Sequence, residues 1–195
     1  MASDVDICNL ALANIGQRGD VISLIPPDGG AFATFCARFY PMARDAALEW
    51  HPWGFATVRQ ILARIPRDNM PAAWSFAFAL PSDCLRALAV VAEGAGDANP
   101  LPYIIEGGVL YCNSDAATLR YVAYIEDTSR FSPLFVRALA WMLAADLLGP
   151  VIKGDARLRD YCEKNAQRFL LQAARSDASA QKIEPLHMPQ WLSGR

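Results

Sequence analysis

Residues 36 to 56 read CARFYPMARDAALEWHPWGFA, and this stretch decides how the first third of the chain folds. Together with the residues just before it, this stretch has apolar side chains at about every third or fourth position: Phe32, Phe35, Cys36, Phe39, Met42 and Ala46. This spacing predicts an amphipathic helix. Pro41 is expected to kink the helix because it removes one backbone hydrogen bond. The helix is expected to end near His51-Pro52, because a residue before proline avoids the α region.

A first helix is predicted upstream of this stretch. Ser3 is a typical N-cap residue, and Gly16 is typical of the position just past a helix end. The apolar side chains between them recur at helical spacing and form one stripe: Val5, Cys8, Leu12 and Ile15. The intervening loop contains Pro26-Pro27-Asp28-Gly29-Gly30, which are turn residues.

Two more helices are predicted towards the other end of the chain. Ser132 followed by Pro133 is a helix start, and Gly149-Pro150 is expected to end that helix. A fourth helix is expected to begin near Asp155. Its basic side chains fall on the solvent side in this pattern: Arg157, Lys164, Arg168 and Arg175.

The middle of the chain changes to the period of a strand. Bulky residues alternate with small ones at Trp74, Phe76, Phe78 and Leu80, which predicts a strand with one bulky face. Further strands are predicted at 85–92 and 119–125, and a hairpin at 103–106 and 109–112 around Gly107-Gly108. The segment 58–65 suits a helix or a strand, and its branched residues favour the strand.

The predicted fold class is therefore α+β: a predominantly helical bundle of about four helices, a small antiparallel β insertion and an extended C-terminal arm. The predicted domains are a helical bundle formed by residues 1–57 and 128–182, an inserted β domain at 58–127 and an arm at 183–195. A chain of 195 residues is long enough for one domain, with or without an insertion, to bury its own core.

Composition excludes several classes of function. Hydrophobic residues make up 53% of the chain and charged residues 19%, which is apolar for a soluble protein and is consistent with surface buried against other subunits. The net charge of -2 argues against a protein that coats DNA or RNA, since such proteins carry a basic face. Residues 1–6 are acidic where a secretory signal is positive, so export is not expected.

No membrane association is expected either. The longest apolar stretch, residues 138–152, is interrupted by Asp146 and is shorter than the roughly 20 residues that cross a bilayer. It is predicted to be a buried helix. The cysteines are odd in number and widely spaced, which favours reduced, buried thiols over disulfides or a zinc site: Cys8, Cys36, Cys84, Cys112 and Cys162.

Residues with catalytic potential are few. The two histidines, His51 and His187, have no metal-binding spacing, and the sequence contains no G-x-S-x-G elbow and no phosphate-binding P-loop. A nucleophilic Cys/His pair, for example Cys36 with His51, is the enzymatic arrangement that stays open, as in a small hydrolase or transferase. We therefore predict a protein that is not an enzyme, with no catalytic residues, no cofactor and no metal.

Residues 36 to 56 also resemble a motif of a known protein family. An aromatic-proline helix bearing Arg44-Asp45 runs into the corner His51-Pro52-Trp53-Gly54-Phe55-Ala56. This arrangement resembles the tail tubular protein A family, the head-to-tail adaptors of short-tailed bacteriophages. Residues 11–16 (ALANIG) and 80–84 (LPSDC) are similar to the family's first helix and to its Leu-Pro-x-Asp-Cys step. The resemblance covers most of residues 3 to 180.

The resemblance implies a structural protein of the virion that is assembled in the cytoplasm of the host bacterium. Members of this family form a ring, commonly a dodecamer, that binds the portal protein above and the tail nozzle or tube below. Double-stranded DNA passes through such a ring as non-specific cargo. The motif residues that form the corner are Tyr40, Pro41, Arg44, Trp50, Pro52, Trp53 and Phe55. Their role is expected to be packing between the helices and the β insertion.

The last residues are predicted to form a portal-docking arm. The segment from 183 to 192 contains two prolines and large apolar side chains, so it is expected to be extended and to need a partner. The candidate interface residues are Pro185, Leu186, Met188, Pro189, Trp191 and Leu192. An unstructured tail without a partner stays open. So does a helical interaction module, or another virion part such as a tail terminator, for the whole chain.

Overall fold

The computed structural model describes residues 2–66, 71–92, 94, 96–97, 99–152 and 155–180. Helices occupy Asp4–Asn14 (α1), Ala31–Trp50 (α2), Pro133–Ile152 (α3) and Ala156–Ala180 (α4). The strands are Thr57–Ile61 (β1), Arg64–Ile65 (β2), Phe76–Ala79 (β3), Cys84–Ala92 (β4), Tyr103–Glu106 (β5), Val109–Cys112 (β6) and Ala117–Ala123 (β7). The predicted α+β class, with four helices and an antiparallel β part, is confirmed.

Both predicted ends of α1 are confirmed by the hydrogen bonds that cap it. The Ser3 hydroxyl accepts a hydrogen bond from the Asp6 backbone N–H, and the Asp6 carboxylate accepts one from the Ser3 N–H. At the other end Gly16 has φ of 76°, and its N–H donates to the carbonyl of Ala13. Only glycine adopts this conformation without strain, so α1 stops here.

The apolar face predicted for α2 is wrong: it lies about one residue along the sequence from the face that is buried. Met42 is 66% exposed and Ala46 is exposed as well. The buried side chains of the helix are Ala33, Cys36, Tyr40, Ala43, Arg44, Ala47 and Leu48. Three of these are alanines, and small side chains allow a packing partner such as α3 to approach closely. The larger Phe32, Phe35 and Phe39 are half-buried beside this face.

The predicted end of α3 is also wrong, because the helix continues through Gly149-Pro150 to Ile152. Proline lacks an N–H and leaves the carbonyl of Asp146 without its helical partner, but only Val151 and Ile152 follow Pro150 in the helix, so a single bond is lost near its end. The disruption is therefore small this close to the helix end.

Helix α3 is the centre of the bundle. It packs against α1, α2 and α4, and nine of its residues are buried. By length and composition alone this 20-residue helix meets the criterion for a membrane span, although half of its apolar window is buried. Core helices of soluble proteins meet the same criterion.

The strands form two antiparallel sheets. One sheet has the order β1-β7-β4 and the other the order β2-β3-β6-β5. The predicted hairpin of β5 and β6 is confirmed with its boundaries, and Gly107 and Gly108 have φ of 58° and 77° in its turn. Residues 58–65 are mostly extended, as their branched residues predicted. They form two strands, β1 and β2, which belong to different sheets. Trp74 and Leu80 lie outside β3, so that strand is shorter than predicted.

Candidate interaction site

The aromatic corner after α2 joins the helices to the sheets. Trp53 is 1% exposed, and its indole N–H donates to the Ala47 carbonyl at 2.9 Å. The ring of Trp53 lies 5.9 Å from Phe55 and 5.0 Å from Phe135 on α3, measured between ring centroids. Phe131 completes the cluster at 4.8 Å from Phe135. Four aromatic rings from two distant parts of the chain therefore form one packed unit.

The end of α4 is attached to the same corner. The Asp177 carboxylate accepts hydrogen bonds from the Gly54 N–H at 3.0 and 3.1 Å, and it lies 3.7 Å from His51 Nε2. Burial lowers the pKa of His51, and the nearby positive charge of Arg86 lowers it further, while Asp177 partly opposes them. The neutral imidazole is therefore favoured in the folded protein.

Protonation of His51 is expected to destabilise the fold. Because the pKa of the folded state lies below the ordinary value of 6.5, the unfolded chain takes up the proton first as pH falls. The stability due to neutral His51 is complete above pH 6.5, and it decreases as pH falls below that value until the folded state is protonated too. Urea unfolding from pH 7.5 to 5 should show this decrease for the wild type. The His51→Gln variant should show a smaller one, and equal slopes for both proteins would contradict the prediction.

A buried arginine lies on the other side of α2. Arg44 is 5% exposed and is the one charged residue buried in the described part of the chain. Its Nε donates to Asp45 at 2.9 Å, and its Nη2 donates to the Tyr124 hydroxyl at 2.6 Å. Tyr124 in turn donates to Glu126 at 2.7 Å, and the Arg44 guanidinium lies 4.4 Å from the centre of the Tyr124 ring. Burial alone would lower the pKa of Arg44, but Asp45 and Tyr124 raise it above its ordinary value.

These side chains form the wall of a pocket of about 210 Å³, named here the Arg44 pocket. The residues that line it are Asp4, Leu24, Ile25, Ala37, Tyr40, Pro41, Arg44, Tyr124 and Glu126. Tyr40 is 5% exposed, and its hydroxyl has no hydrogen-bond partner among the described residues. Burial raises the pKa of Tyr40, so the hydroxyl stays protonated. A buried hydroxyl without a partner is unfavourable, and this cost falls on the fold because the hydroxyl oxygen is itself inaccessible.

The predicted motif residues divide between these two places. Tyr40, Pro41 and Arg44 line the Arg44 pocket, whereas Trp53 and Phe55 lie in the aromatic corner. The other two motif residues are more peripheral: Trp50 is 42% exposed, and Pro52 lies beside a surface depression near Arg59 and Arg120.

Four residues of the site are not indicated by the sequence: Phe135, Asp177, Tyr124 and Glu126. Tyr124 lies 80 residues from Arg44, and Asp177 lies 123 residues from Gly54. No spacing rule joins residues at such separations, so no signal in a single sequence identifies these partners.

The alternative Cys36 and His51 pair is not brought together. The two residues are separated by 15 positions along α2, which is about 22 Å at the rise of an α-helix. Cys36 is buried, as are Cys8, Cys112 and Cys162, in agreement with the prediction of buried thiols, whereas Cys84 is half-buried. Within the described ranges no group of three or more His, Cys, Asp or Glu side chains is placed to hold a metal ion.

The predicted docking arm lies outside the described residues, as does His187. The interface residues predicted there, from Pro185 to Leu192, stay a prediction. Comparison with protein-family models found no family that matches the chain, and comparison with curated proteins found no matching relative.

Proposed function

We propose that this chain is a structural head-to-tail adaptor of a bacteriophage virion, a subunit of a ring that joins the portal protein to the tail nozzle or tube. The observation that carries the proposal is the aromatic corner. The motif on which the resemblance rests packs Trp53 against Phe55 and Phe135 at the junction of bundle and sheets. A packing motif shared by a family is expected at such a junction, because it fixes how the two parts of the fold meet.

The surface of the chain agrees with a subunit of an assembly. Several large apolar side chains are exposed on the described surface, among them Ile22 at 82%, Ile25 at 91% and Ile61 at 67%. Contiguous exposed apolar side chains mark surfaces that other proteins cover, so these side chains are compatible with a subunit of an assembly. The net charge of -2 suits a channel through which DNA moves without binding tightly.

In this proposal residues 183–192 dock on the portal. Pro185, Leu186, Met188, Pro189, Trp191 and Leu192 supply the apolar groups, of which Trp191 is the main anchor. Large apolar anchors enter pockets of a partner, and tryptophan is enriched among the residues that dominate binding energy.

Removal of the arm tests this assignment. A variant that ends at Lys182 keeps every described helix and strand, so it should unfold with the wild-type transition. We expect it to lose binding to a portal protein encoded in the same genome by at least about 100-fold, because the buried anchors supply most of the affinity. The measurement is sedimentation of each chain with the purified portal. Wild-type affinity for the shortened chain would remove the arm from the proposal, and Trp191→Ala in the full chain should reproduce most of the loss.

A small hydrolase and an unrelated helical module are the competing functions. Among the described residues, the Cys36 and His51 pair does not favour the hydrolase, because the two lie far apart. An unrelated helical module would not assemble on a portal, so the same sedimentation experiment separates it from an adaptor.

A further inference from the structure

The Arg44 pocket has the chemistry of a site for a basic side chain. Arg44 is balanced by Asp45 at 2.9 Å, which leaves the carboxylates of Asp4 and Glu126 as the remaining charges of the lining. An occupant that donates hydrogen bonds and carries positive charge is therefore favoured.

The rest of the lining suits an aliphatic stem. Leu24, Ile25, Ala37 and Pro41 supply apolar surface, and Ile25 is 91% exposed at the mouth of the pocket. Lysine and arginine side chains bury their methylene groups on such surfaces while their charged ends reach polar groups.

The exposed surface of α4 presents side chains of this kind. Four basic residues and two exposed apolar ones recur at alternating spacings of four and three, so they form one row along the helix. We name this row the α4 ridge: Arg157, Tyr161, Lys164, Arg168, Leu171 and Arg175. All six are exposed, including Tyr161 at 55% and Leu171 at 44%. Exposed apolar side chains between cations are typical of an interface that uses both charge and burial.

The ridge and the pocket belong to different sides of the bundle. Helix α3 packs against α4 and also against α1 and α2, whereas α4 has no comparable packing along α1 or α2. The pocket is formed by α1, α2, the loop that follows α1 and the segment after β7. A surface on one side of a subunit that complements a surface on another side gives a head-to-tail contact, and such contacts form a ring when the rotation between neighbours closes.

We propose that neighbouring copies of this chain associate head to tail, with the α4 ridge of one copy lying on the Arg44 pocket of the next and one ridge side chain entering that pocket. This inference rests on the proposed ring and names the contact that builds it. The basic end of the entering side chain meets the carboxylates of Glu126 and Asp4.

Charge reversal at each surface tests the contact. Arg168→Glu changes the ridge, and Arg64→Glu is its matched control, because both arginines are exposed and both lie over a phenylalanine ring, at 4.8 and 4.5 Å. Glu126→Lys changes the pocket, and Glu106→Lys, in the exposed end of β5, is its control. Thermal unfolding of all four variants establishes that each one folds.

Assembly is measured by light scattering, for each chain alone and with the portal. We expect the two interface variants to assemble at least about tenfold more weakly than wild type, since like charges then face each other, and the two controls to assemble normally. An equal mixture of Arg168→Glu and Glu126→Lys should recover assembly, because the intact ridge of one variant meets the intact pocket of the other and the two changed surfaces carry opposite charges.

The outcomes separate this contact from the ring itself. If wild type and both interface variants assemble alike, the contact is overturned and the proposed adaptor stands. If wild type assembles neither alone nor with the portal, the adaptor and the contact are overturned together.

Discussion

Replacing Trp53 with alanine is expected to lower the free energy of unfolding by about 3 to 5 kcal/mol, the cost of removing a large buried aromatic side chain. The indole packs between Phe55 and Phe135 and donates a hydrogen bond to the Ala47 carbonyl. Its loss leaves a cavity at the junction of bundle and sheets, and that carbonyl loses a partner. Urea unfolding followed by circular dichroism gives the change directly.

Trp50→Ala is the matched control for this prediction. Trp50 lies three residues earlier and is 42% exposed, so its removal is expected to change the free energy of unfolding by less than about 1.5 kcal/mol. If the two variants were equally destabilised, the corner would not be the packed unit described above.

The second large effect is expected from Arg44→Met. Methionine keeps much of the length of the side chain but leaves Asp45 and the Tyr124 hydroxyl without their donor. Breaking a buried ion pair on one side costs about 3 to 5 kcal/mol, and the exposed third of the Asp45 side chain reduces this to about 2 to 3 kcal/mol. Urea unfolding at pH 7 measures it.

Arg38→Met is the control on the same helix. Arg38 is exposed and lies 5.8 Å from the Phe39 ring, so its loss is expected to cost less than about 1 kcal/mol. If the Arg44→Met variant were as stable as the Arg38→Met variant, the buried arginine would not be needed for folding. Ligand binding in the Arg44 pocket would then explain the buried arginine better than a role in folding does.

The sequence predicts those parts of this fold that depend on neighbouring residues. Ser3 with Asp6 begins α1, Gly16 ends it, and Gly107-Gly108 forms the hairpin turn, each through contacts within a few positions. Such signals are local, so a single sequence contains them.

Parts that depend on tertiary packing are predicted poorly. The buried face of α2 is set by the elements that approach it, so the apolar pattern alone places it one residue away. The end of α3 is misplaced because Gly149-Pro150 is a strong local stop that the packed helix tolerates.

The same distinction applies to the candidate site. The motif residues Arg44 and Trp53 are visible in the sequence, and their partners Tyr124 and Phe135 are not. The partners come from segments about 80 residues away, and they are brought into contact only when the β part and α3 fold against α2.

The most direct test of the adaptor is the mass and rotational symmetry of the full chain bound to a portal protein from the same genome. Light scattering gives the mass, and electron microscopy of the complex viewed along its axis gives the symmetry. We expect a closed ring on one face of the portal, a dodecamer as is common in the family that the chain resembles. A chain that stays monomeric and does not bind the portal at any salt concentration would contradict it.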